Sequence, residues 1–434
     1  MVYRRKRSFL FIIISVFCWV FNAPAVDKKT AADIDREIEK IKPEMIKIRR
    51  FIHMNPQLAN HEQETAKLIS VKLTSLGIEV KTGVAKTGVI GLLRGSQQGA
   101  TVAVRAGMDA VPIQEQTEAP YKSLNPGVMH AAGHDIHAAI VLGTAYVLQA
   151  LKDRISGNIK FLFQPAEEGV AAGEEGGAAL MIKEGALENP PVGAVFGFHV
   201  WPENLGQVYV APGIFLANSD SFQINIKGKS TPGSQPQEGV DAIVIASQVV
   251  MALQTLISRT VDPTDPAVLT IGKIEGGTKS DIVADRVHLE GIVRTLSEAN
   301  RKKIPRLMEN AIKGVVHSFG GDFAFAFEQG VPSVYNHPEL MNIMMPSLVE
   351  ALGEKKVNSI KPQMMSDDFS FYSQKIPGFY FFLGVKNPRL PTSAPLYSPG
   401  FNPDERSIGI GIKIMCYLLL DSLERQSRLE KGVF

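Results

Sequence analysis

The sequence predicts an α/β protein whose main sheet is mixed but mainly parallel, with an α+β domain inserted into it. Three observations support this prediction: strand and helix candidates alternate over residues 26–212, a β-α-β-β-α-β order follows, and the α/β pattern resumes from Pro338. Strands that alternate with helices favour a parallel sheet covered on both faces. The β-α-β-β-α-β order is that of a ferredoxin-like, open-faced sandwich.

Two helices begin the α/β part. Apolar residues recur with a spacing close to 3.6 between Ala31 and His53, which predicts an amphipathic helix, and Pro56 enforces a break after it. A second helix is predicted from about Glu62, with Gly77 as its C-terminal stop. Buried strands at 89–93, 101–105 and 158–163 and a helix at 138–151 continue the alternation.

The pattern changes near Gly213, where polar and apolar residues alternate at 219–227 as in a half-solvated strand. The predicted segments are a strand at 219–227, a helix at 241–259, strands at 267–274 and 286–294, a helix at 297–318 and a strand at 322–329. We therefore expect a discontinuous α/β domain at 26–212 and 330–434, and an inserted domain at 213–329. No internal repeat or low-complexity tract interrupts this organisation.

Residues 1–25 have the three-part layout of a secretory signal. Four cationic residues at 4–7 precede an apolar run at 8–21, and a small-residue pattern ends at Ala25. An uncleaved anchor is the alternative, but the apolar run is shorter than the roughly 20 residues that span a bilayer. Cleavage after Ala25 predicts a secreted or periplasmic protein.

The composition excludes several classes of protein. The chain has 434 residues, 45% of them hydrophobic and 21% charged, which argues against collagen-like, coiled-coil and wholly disordered chains. With 46 Lys+Arg against 44 Asp+Glu, it has no electrostatic footprint for nucleic acid. Two cysteines cannot build a disulfide framework, and the length favours two domains.

Candidate chemical residues lie in four segments, at 105–115, 127–137, 161–169 and 196–202. Ligands of α/β sheets gather beyond the carboxyl ends of strands. His134, Glu168 and His199 are residue types that bind a divalent metal, and two imidazoles with one carboxylate form a recognised catalytic set. Glu167 supplies a second carboxylate that could take a proton from water. Taken singly, a histidine or a Glu pair is usually a surface feature.

The ordered segments resemble the aminoacylase and carboxypeptidase family of metal-dependent amidohydrolases, particularly the branch of hippurate hydrolase, N-acyl-amino-acid amidohydrolases and indole-acetyl-amino-acid hydrolases. The resemblance spans about residues 35–425. It is carried by RRFIHMNPQLANHE (49–62), GVMHAAGHD, QPAEEG, GFHVWP, EGIVRT (290–295), SDDFSFY (366–372) and YSPGFNPDE (397–405). The resemblance implies a zinc-peptidase-like catalytic domain with co-catalytic metals, and an inserted lid domain that commonly forms homodimers.

The resemblance also implies roles for five residues of this chain. Asp109 and Glu167 match catalytic positions, and His134, Glu168 and His199 match metal ligands. In the family, the residues that match His134 and His199 serve one metal. The residue that matches Glu168 serves the other metal, together with a histidine near the C-terminus.

Several positions depart from the family pattern. Ala132 stands where a bridging cysteine is normal, Tyr397 where the C-terminal ligand histidine is normal, and Gly107 where the first Asp of Arg-Ala-Asp-Met-Asp is normal. In the lid, Pro232 aligns with the histidine that helps hold the scissile carbonyl. Because alanine has no donor atom and a neutral tyrosine is a poor ligand, we expect at most one divalent metal, Zn, Mn or Ni, per chain.

Two functions remain open at this point. One is a one-metal amidohydrolase that cleaves N-acyl amino acids or small peptides, with Glu167 as general base and acid. The other is a catalytically lapsed family member that binds a small acylated or peptidic ligand. Arg294 in EGIVRT is a candidate partner for a substrate carboxylate, and a surface ion pair is its alternative role.

Overall fold

The computed structural model describes residues 26–171, 173–389 and 394–430. The predicted signal segment at 1–25 lies outside the described residues. The helices are α1 (Lys28–Met54), α2 (Gln63–Ser75), α3 (His134–Ala150), α4 (Gly177–Lys183), α5 (Ala242–Thr260), α6 (Glu298–Ser318), α7 (Pro338–Leu352), α8 (Phe369–Ser373) and α9 (Arg406–Glu430). The strands are β1 (Glu79–Val84), β2 (Gly88–Arg94), β3 (Gln97–Gly107), β4 (Ser156–Gln164), β5 (Ala194–Asn204), β6 (Val208–Val210), β7 (Gly213–Leu216), β8 (Ser219–Lys227), β9 (Ala267–Gly276), β10 (Arg286–Thr295), β11 (Asp322–Val331), β12 (Val334–Asn336), β13 (Val357–Ser359) and β14 (Gly378–Lys386).

The main sheet has eight strands in the order β1-β2-β4-β3-β5-β14-β6-β13. Its centre is parallel, because β3 pairs with β4 and β5, and β5 pairs with β14, whereas β1, β2 and β6 pair antiparallel with their neighbours β2, β4 and β14. Helices α3 and α9 pack on β3, and α1 packs on α3. The apolar run of β14 is buried almost throughout, as is typical of a strand covered on both faces.

The second sheet has four strands in the order β11-β8-β10-β9, and each of its pairings is antiparallel. Helices α5 and α6 pack against it, and Phe222, Ile224, Leu253 and Met308 lie in the core between helices and strands. We call this unit the sandwich. The mixed sheet with its added sandwich confirms the predicted fold class, while the domain boundaries at 213 and 329 stay predictions.

Helix α3 begins four residues earlier than the sequence pattern predicts, at His134. Gly133 precedes it with a φ of 85°, in the left-handed region that favours glycine. A side chain at Gly133 would also collide with Val200, since a Cβ there would lie 2.4 Å from its methyl carbon. The early start places His134 in the first turn of the helix, facing the ends of the central strands.

Candidate metal and catalytic site

The candidate site lies at the carboxyl edge of the central parallel strands, where ligands of α/β sheets bind. Asp109 follows β3, Glu167 and Glu168 follow β4, and His199 lies within β5. His134 enters from the first turn of α3. The fold therefore brings together all five residues whose roles the resemblance implied.

His134 is fully buried, and its two ring nitrogens have different surroundings. Nδ1 donates to Asp109, whose carbonyl oxygen is 2.9 Å away and whose Oδ1 is 3.1 Å away. Nε2 lies 3.3 Å from Glu167 Oε2, but it has no hydrogen bond among the described residues. A metal-binding histidine typically has this arrangement, in which one ring nitrogen donates to a carboxylate or carbonyl oxygen and the other is left for the metal.

Gly107 makes room for this imidazole. A Cβ built on Gly107 would lie 2.9 Å from Nδ1 and Cε1 of His134, a separation that forces one of the two groups to move. The ring is held by Asp109 and cannot give way freely. The departure at position 107 is thus coupled to the observed place of His134.

His199 is the second imidazole of the site. Its Nδ1 donates to the carbonyl of Val200 at 2.8 Å, which leaves the lone pair of Nε2 available for a cation. Burial, followed by the neighbouring charge of His134, lowers the pKa of His199 to about 4, so the ring is neutral at pH 7. The two ring centroids are 5.9 Å apart.

His137 lies beside these two rings, and sequence reasoning did not assign it a role. Its centroid is 4.7 Å from that of His199. The Nε2 of His137 accepts a hydrogen bond from the backbone N–H of Val200 at 3.0 Å, so the ring proton is on Nδ1. With one nitrogen engaged and the other protonated, His137 supports the strand rather than offering a lone pair to a cation.

Glu167 and Glu168 diverge from the end of β4 toward different partners. Glu167 lies 3.8 Å from the guanidinium of Arg105, whereas Glu168 Oε1 accepts a hydrogen bond from the Tyr397 hydroxyl at 3.1 Å. Burial and the nearby charges of Asp367 and Glu168 raise the pKa of Glu167 well above its ordinary value. Burial also raises the pKa of Glu168, to about 7. With a pKa near 7, Glu168 can exchange protons near neutral pH.

A buried network behind Glu167 was not predicted. Arg105 is fully buried on β3 and lies 3.1 Å from Asp367 Oδ1, and it also pairs with Asp368. The side-chain amide of Gln164 donates to both Asp368 oxygens, at 2.8 and 2.7 Å. The two aspartates hold Arg105 in place, and Arg105 in turn lies beside the carboxylate of Glu167. The network forms because the segments RAGMD and SDDFSFY meet in the folded structure. Neither segment by itself indicates this contact.

A cleft of about 450 Å³ opens onto these groups between the main sheet and the sandwich. It is lined by Glu167, Glu168, Tyr397, Asp367 and Arg294, together with residues of β8 and β11. Pockets of about 540 and 590 Å³ also exist, but none of the site residues line them. We assign the site to the smaller cleft because the titratable groups face it.

Arg294 and Pro232 differ in their relation to the cleft. Arg294 reaches the cleft from β10, and its Nη1 donates to the carbonyl of Met364 at 2.8 Å. No carboxylate pairs with it among the described residues. Pro232 is exposed, forms an isolated bridge with Ile282, and is not part of the lining. The sandwich therefore presents a cation to the cleft, but no side chain from position 232.

The residues present include donors that fit a divalent cation. His134 belongs to two groups whose ligand atoms lie within 4.8 Å of one another, one with His137 and His199 and the other with Glu167 and Glu168. Two positions at which the resemblance implies ligands for a second cation offer it no free donor, since the methyl group of Ala132 has no lone pair and the Tyr397 hydroxyl already donates to Glu168.

A mixed sheet that carries histidine and glutamate ligands at its strand ends, with a sandwich beside the cleft, defines the class of metal-binding peptidases and amidohydrolases. The chain belongs to the peptidase family M20/M25/M40, whose pattern matches residues 103–421. This confirms the family resemblance found in the sequence.

Individual relatives are similar over most of their length. The chain is 38% identical over 381 residues to thermostable carboxypeptidase 2 of Saccharolobus solfataricus, covering 87% of this chain and 95% of the relative. It is 40% identical over 311 residues to the N-acyl-L-amino acid amidohydrolase of Geobacillus stearothermophilus, covering 71% and 82%. Among solved structures, the YxeP protein of Bacillus subtilis, described as a dinuclear metal-binding peptidase of the M20 family, has a TM-score of 0.74 and 32% identity, covering 89% and 99%.

Proposed function

We propose that this protein hydrolyses the amide bond of N-acyl amino acids or small peptides with one divalent metal per chain. The observation that carries the proposal is the buried, unsatisfied Nε2 of His134, which Asp109 braces from behind and two carboxylates face. The names of relatives, an N-acyl-L-amino acid amidohydrolase and a carboxypeptidase, support this substrate class.

The cation would be held by His134, His199 and Glu168. A bound divalent ion supplies Lewis acidity toward a carbonyl group or a water molecule. Zn, Mn and Ni are compatible with imidazole ligands, and the donor set does not distinguish strongly among them. Asp109 keeps the imidazole of His134 in the tautomer that presents the Nε2 lone pair to Glu167 and Glu168.

Glu167 would act as the general base and then as the general acid. Its carboxylate lines the cleft, and its raised pKa suits a group that takes a proton from water and returns it to the leaving amine. Arg105 limits its movement from behind. Arg294, which also lines the cleft, would bind the carboxylate of the substrate.

A binding protein without catalysis is the second candidate. The observation that favours it is the exposed Pro232, which leaves the cleft without the carbonyl-holding lid side chain that the resemblance implies. Loss of one such preorganised donor typically lowers turnover by about 10²- to 10³-fold. A slow enzyme and an inactive one therefore need to be separated by measurement.

The test combines elemental analysis of the full chain with a screen of N-acyl amino acids. We expect about one metal ion per chain, and hydrolysis that falls at least about 100-fold in Glu167→Gln. Glu64→Gln, an exposed carboxylate on α2, is the matched control and should retain full activity. Hydrolysis that is unchanged in Glu167→Gln would overturn the assigned role. Absence of any bound metal after reconstitution would overturn the proposed hydrolase, and binding without turnover would favour the second candidate.

We further propose that the sandwich mediates a homodimer. Strand β9 lies at the edge of its sheet, so its outer backbone groups lack a strand partner among the described residues. Ile274 on β9 and Ile243 and Met251 on the adjacent α5 are exposed apolar side chains. By length and composition α5 could cross a membrane, yet one of its faces packs on the four-stranded sheet of the sandwich. A second copy would cover the other face.

A further inference from the structure

Tyr397 occupies an unusual backbone conformation at the wall of the cleft. Its φ is 58°, in the left-handed region that bulky residues rarely adopt. Its backbone N–H donates to the carbonyl of Ala131 at 3.0 Å, and its hydroxyl donates to Glu168 Oε1 at 3.1 Å. Outliers of this kind are kept where the surroundings require them, and they cluster at functional sites.

Glu168 is held from two sides. Its backbone N–H donates to Asp109 Oδ2 at 2.9 Å, so the same carboxylate that braces His134 also anchors the main chain of Glu168. Its Oε1 lies 3.9 Å from the Nε2 of His134. With the backbone fixed, the remaining freedom is rotation of the side chain, and the Tyr397 hydroxyl restrains that rotation.

We infer that Tyr397 is a positioning residue that turns Glu168 toward the cation of His134 and His199. This inference rests on the proposed function. The resemblance assigns Glu168 to a second metal, together with the histidine that Tyr397 replaces. In this chain the phenol instead donates to Oε1 of Glu168, the same oxygen that lies 3.9 Å from His134 Nε2, and the hydrogen bond thereby holds that oxygen beside the imidazole.

The chemistry of a phenol suits this role. A neutral tyrosine donates one hydrogen bond and ligates divalent metals poorly, so Tyr397 directs the carboxylate without competing for the cation. Hydrogen bonds to a ligating carboxylate set its orientation, and their loss typically lowers metal affinity about 10- to 100-fold. The Tyr397 side chain is 43% exposed, so removing its hydroxyl leaves the core of the main sheet unchanged.

The test is titration of the metal-free full chain with Zn²⁺, followed by competition with a chelator. Tyr397→Phe should weaken zinc binding about 10- to 100-fold, while the melting temperature of the metal-free protein stays the same. Tyr335→Phe, another partly exposed tyrosine outside the cleft lining, is the matched control and should bind zinc like the wild type.

The coupling of the two residues separates positioning from a general structural effect. Because Tyr397 acts through Glu168, the double variant Glu168→Gln/Tyr397→Phe should bind zinc no more weakly than Glu168→Gln alone. Wild-type affinity in Tyr397→Phe, or a full further loss in the double variant, would overturn the inference. The proposed function fails by a different result, namely absence of zinc binding or of turnover in the wild type, before any variant is compared.

Discussion

The imidazole of His134 links the two halves of the site, because each ring nitrogen faces different chemistry. Asp109 and Glu167 outweigh burial and raise the pKa of His134 well above its ordinary value. A cation that takes the place of the ring proton therefore releases acid on binding. Apparent metal affinity should accordingly rise with pH over the range in which the ring loses its proton.

The five site residues whose roles the resemblance implied lie close together in the structure. The residues that hold them in place could not be predicted from the sequence. Arg105 and Asp367 are 262 positions apart, and His137 appears in the sequence as one more histidine of a helix. Local patterns identify residue types and strand ends. They do not reveal which distant carboxylate will neutralise a buried arginine, since that depends on the order of strands in the sheet.

Restoring two donors should restore a second metal. In Ala132→Cys/Tyr397→His, a thiolate and an imidazole replace a methyl group and a phenol, and both residue types bind zinc tightly. We expect zinc content to rise from about one to about two ions per chain, measured by elemental analysis. Ala132→Val/Tyr397→His is the matched control, since valine adds volume without a donor atom. Unchanged stoichiometry in the first variant would argue against the one-metal assignment.

At the scale of elements, long periodic segments were predicted well and short ones were not. Helices α5 and α6 begin one residue after their predicted starts, because Asp241 and Ser297 accept hydrogen bonds from the first-turn N–H groups. Strands β6 and β13 have three residues each, too few for a period to show. They lie at one end of the main sheet, where β6 pairs with β14 and β13 pairs with β6. Such pairing depends on the tertiary fold, which a three-residue segment does not encode.

The apolar strip on α5 and β9 should determine the oligomeric state. Negative charges introduced together by Met251→Glu and Ile274→Glu would be buried without a cationic partner from the other substitution in a dimer that uses this strip, so the variant should be monomeric. Sedimentation or light scattering measures the mass directly. Val71→Glu on α2 places a charge at an equally exposed valine of the main unit and should leave the dimer intact. A wild-type monomer would contradict the proposed dimer.

At the scale of the whole molecule, the residues that follow the predicted cleavage site are part of the fold. Val26 is buried against the main core, and Asp27 caps α1 through a 2.6 Å hydrogen bond from the N–H of Thr30. The fold thus uses the chain from the first residue after the predicted cleavage site. Removal of residues 1–25 stays a prediction.

Cleavage can be measured by mass spectrometry of the protein exported from a bacterial host. We expect a mature N-terminus at Val26, because the small-residue pattern around Ala23 and Ala25 is what signal peptidase accepts. Replacing both alanines by leucine should retain the leader, whereas Asn22→Leu, which leaves the pattern intact, should not. Full-length wild-type protein in the membrane fraction would favour the anchor instead.

The close approach of Gly107 to His134 restricts which residues position 107 can accept. Any side chain at position 107 now meets the imidazole 2.9 Å from its Cβ. An aspartate introduced at position 107 would require the imidazole of His134 to leave its observed place beside Asp109. The choice of residue at position 107 and the position of a ligand on another element are therefore not independent, so an engineered change at one has to be matched at the other.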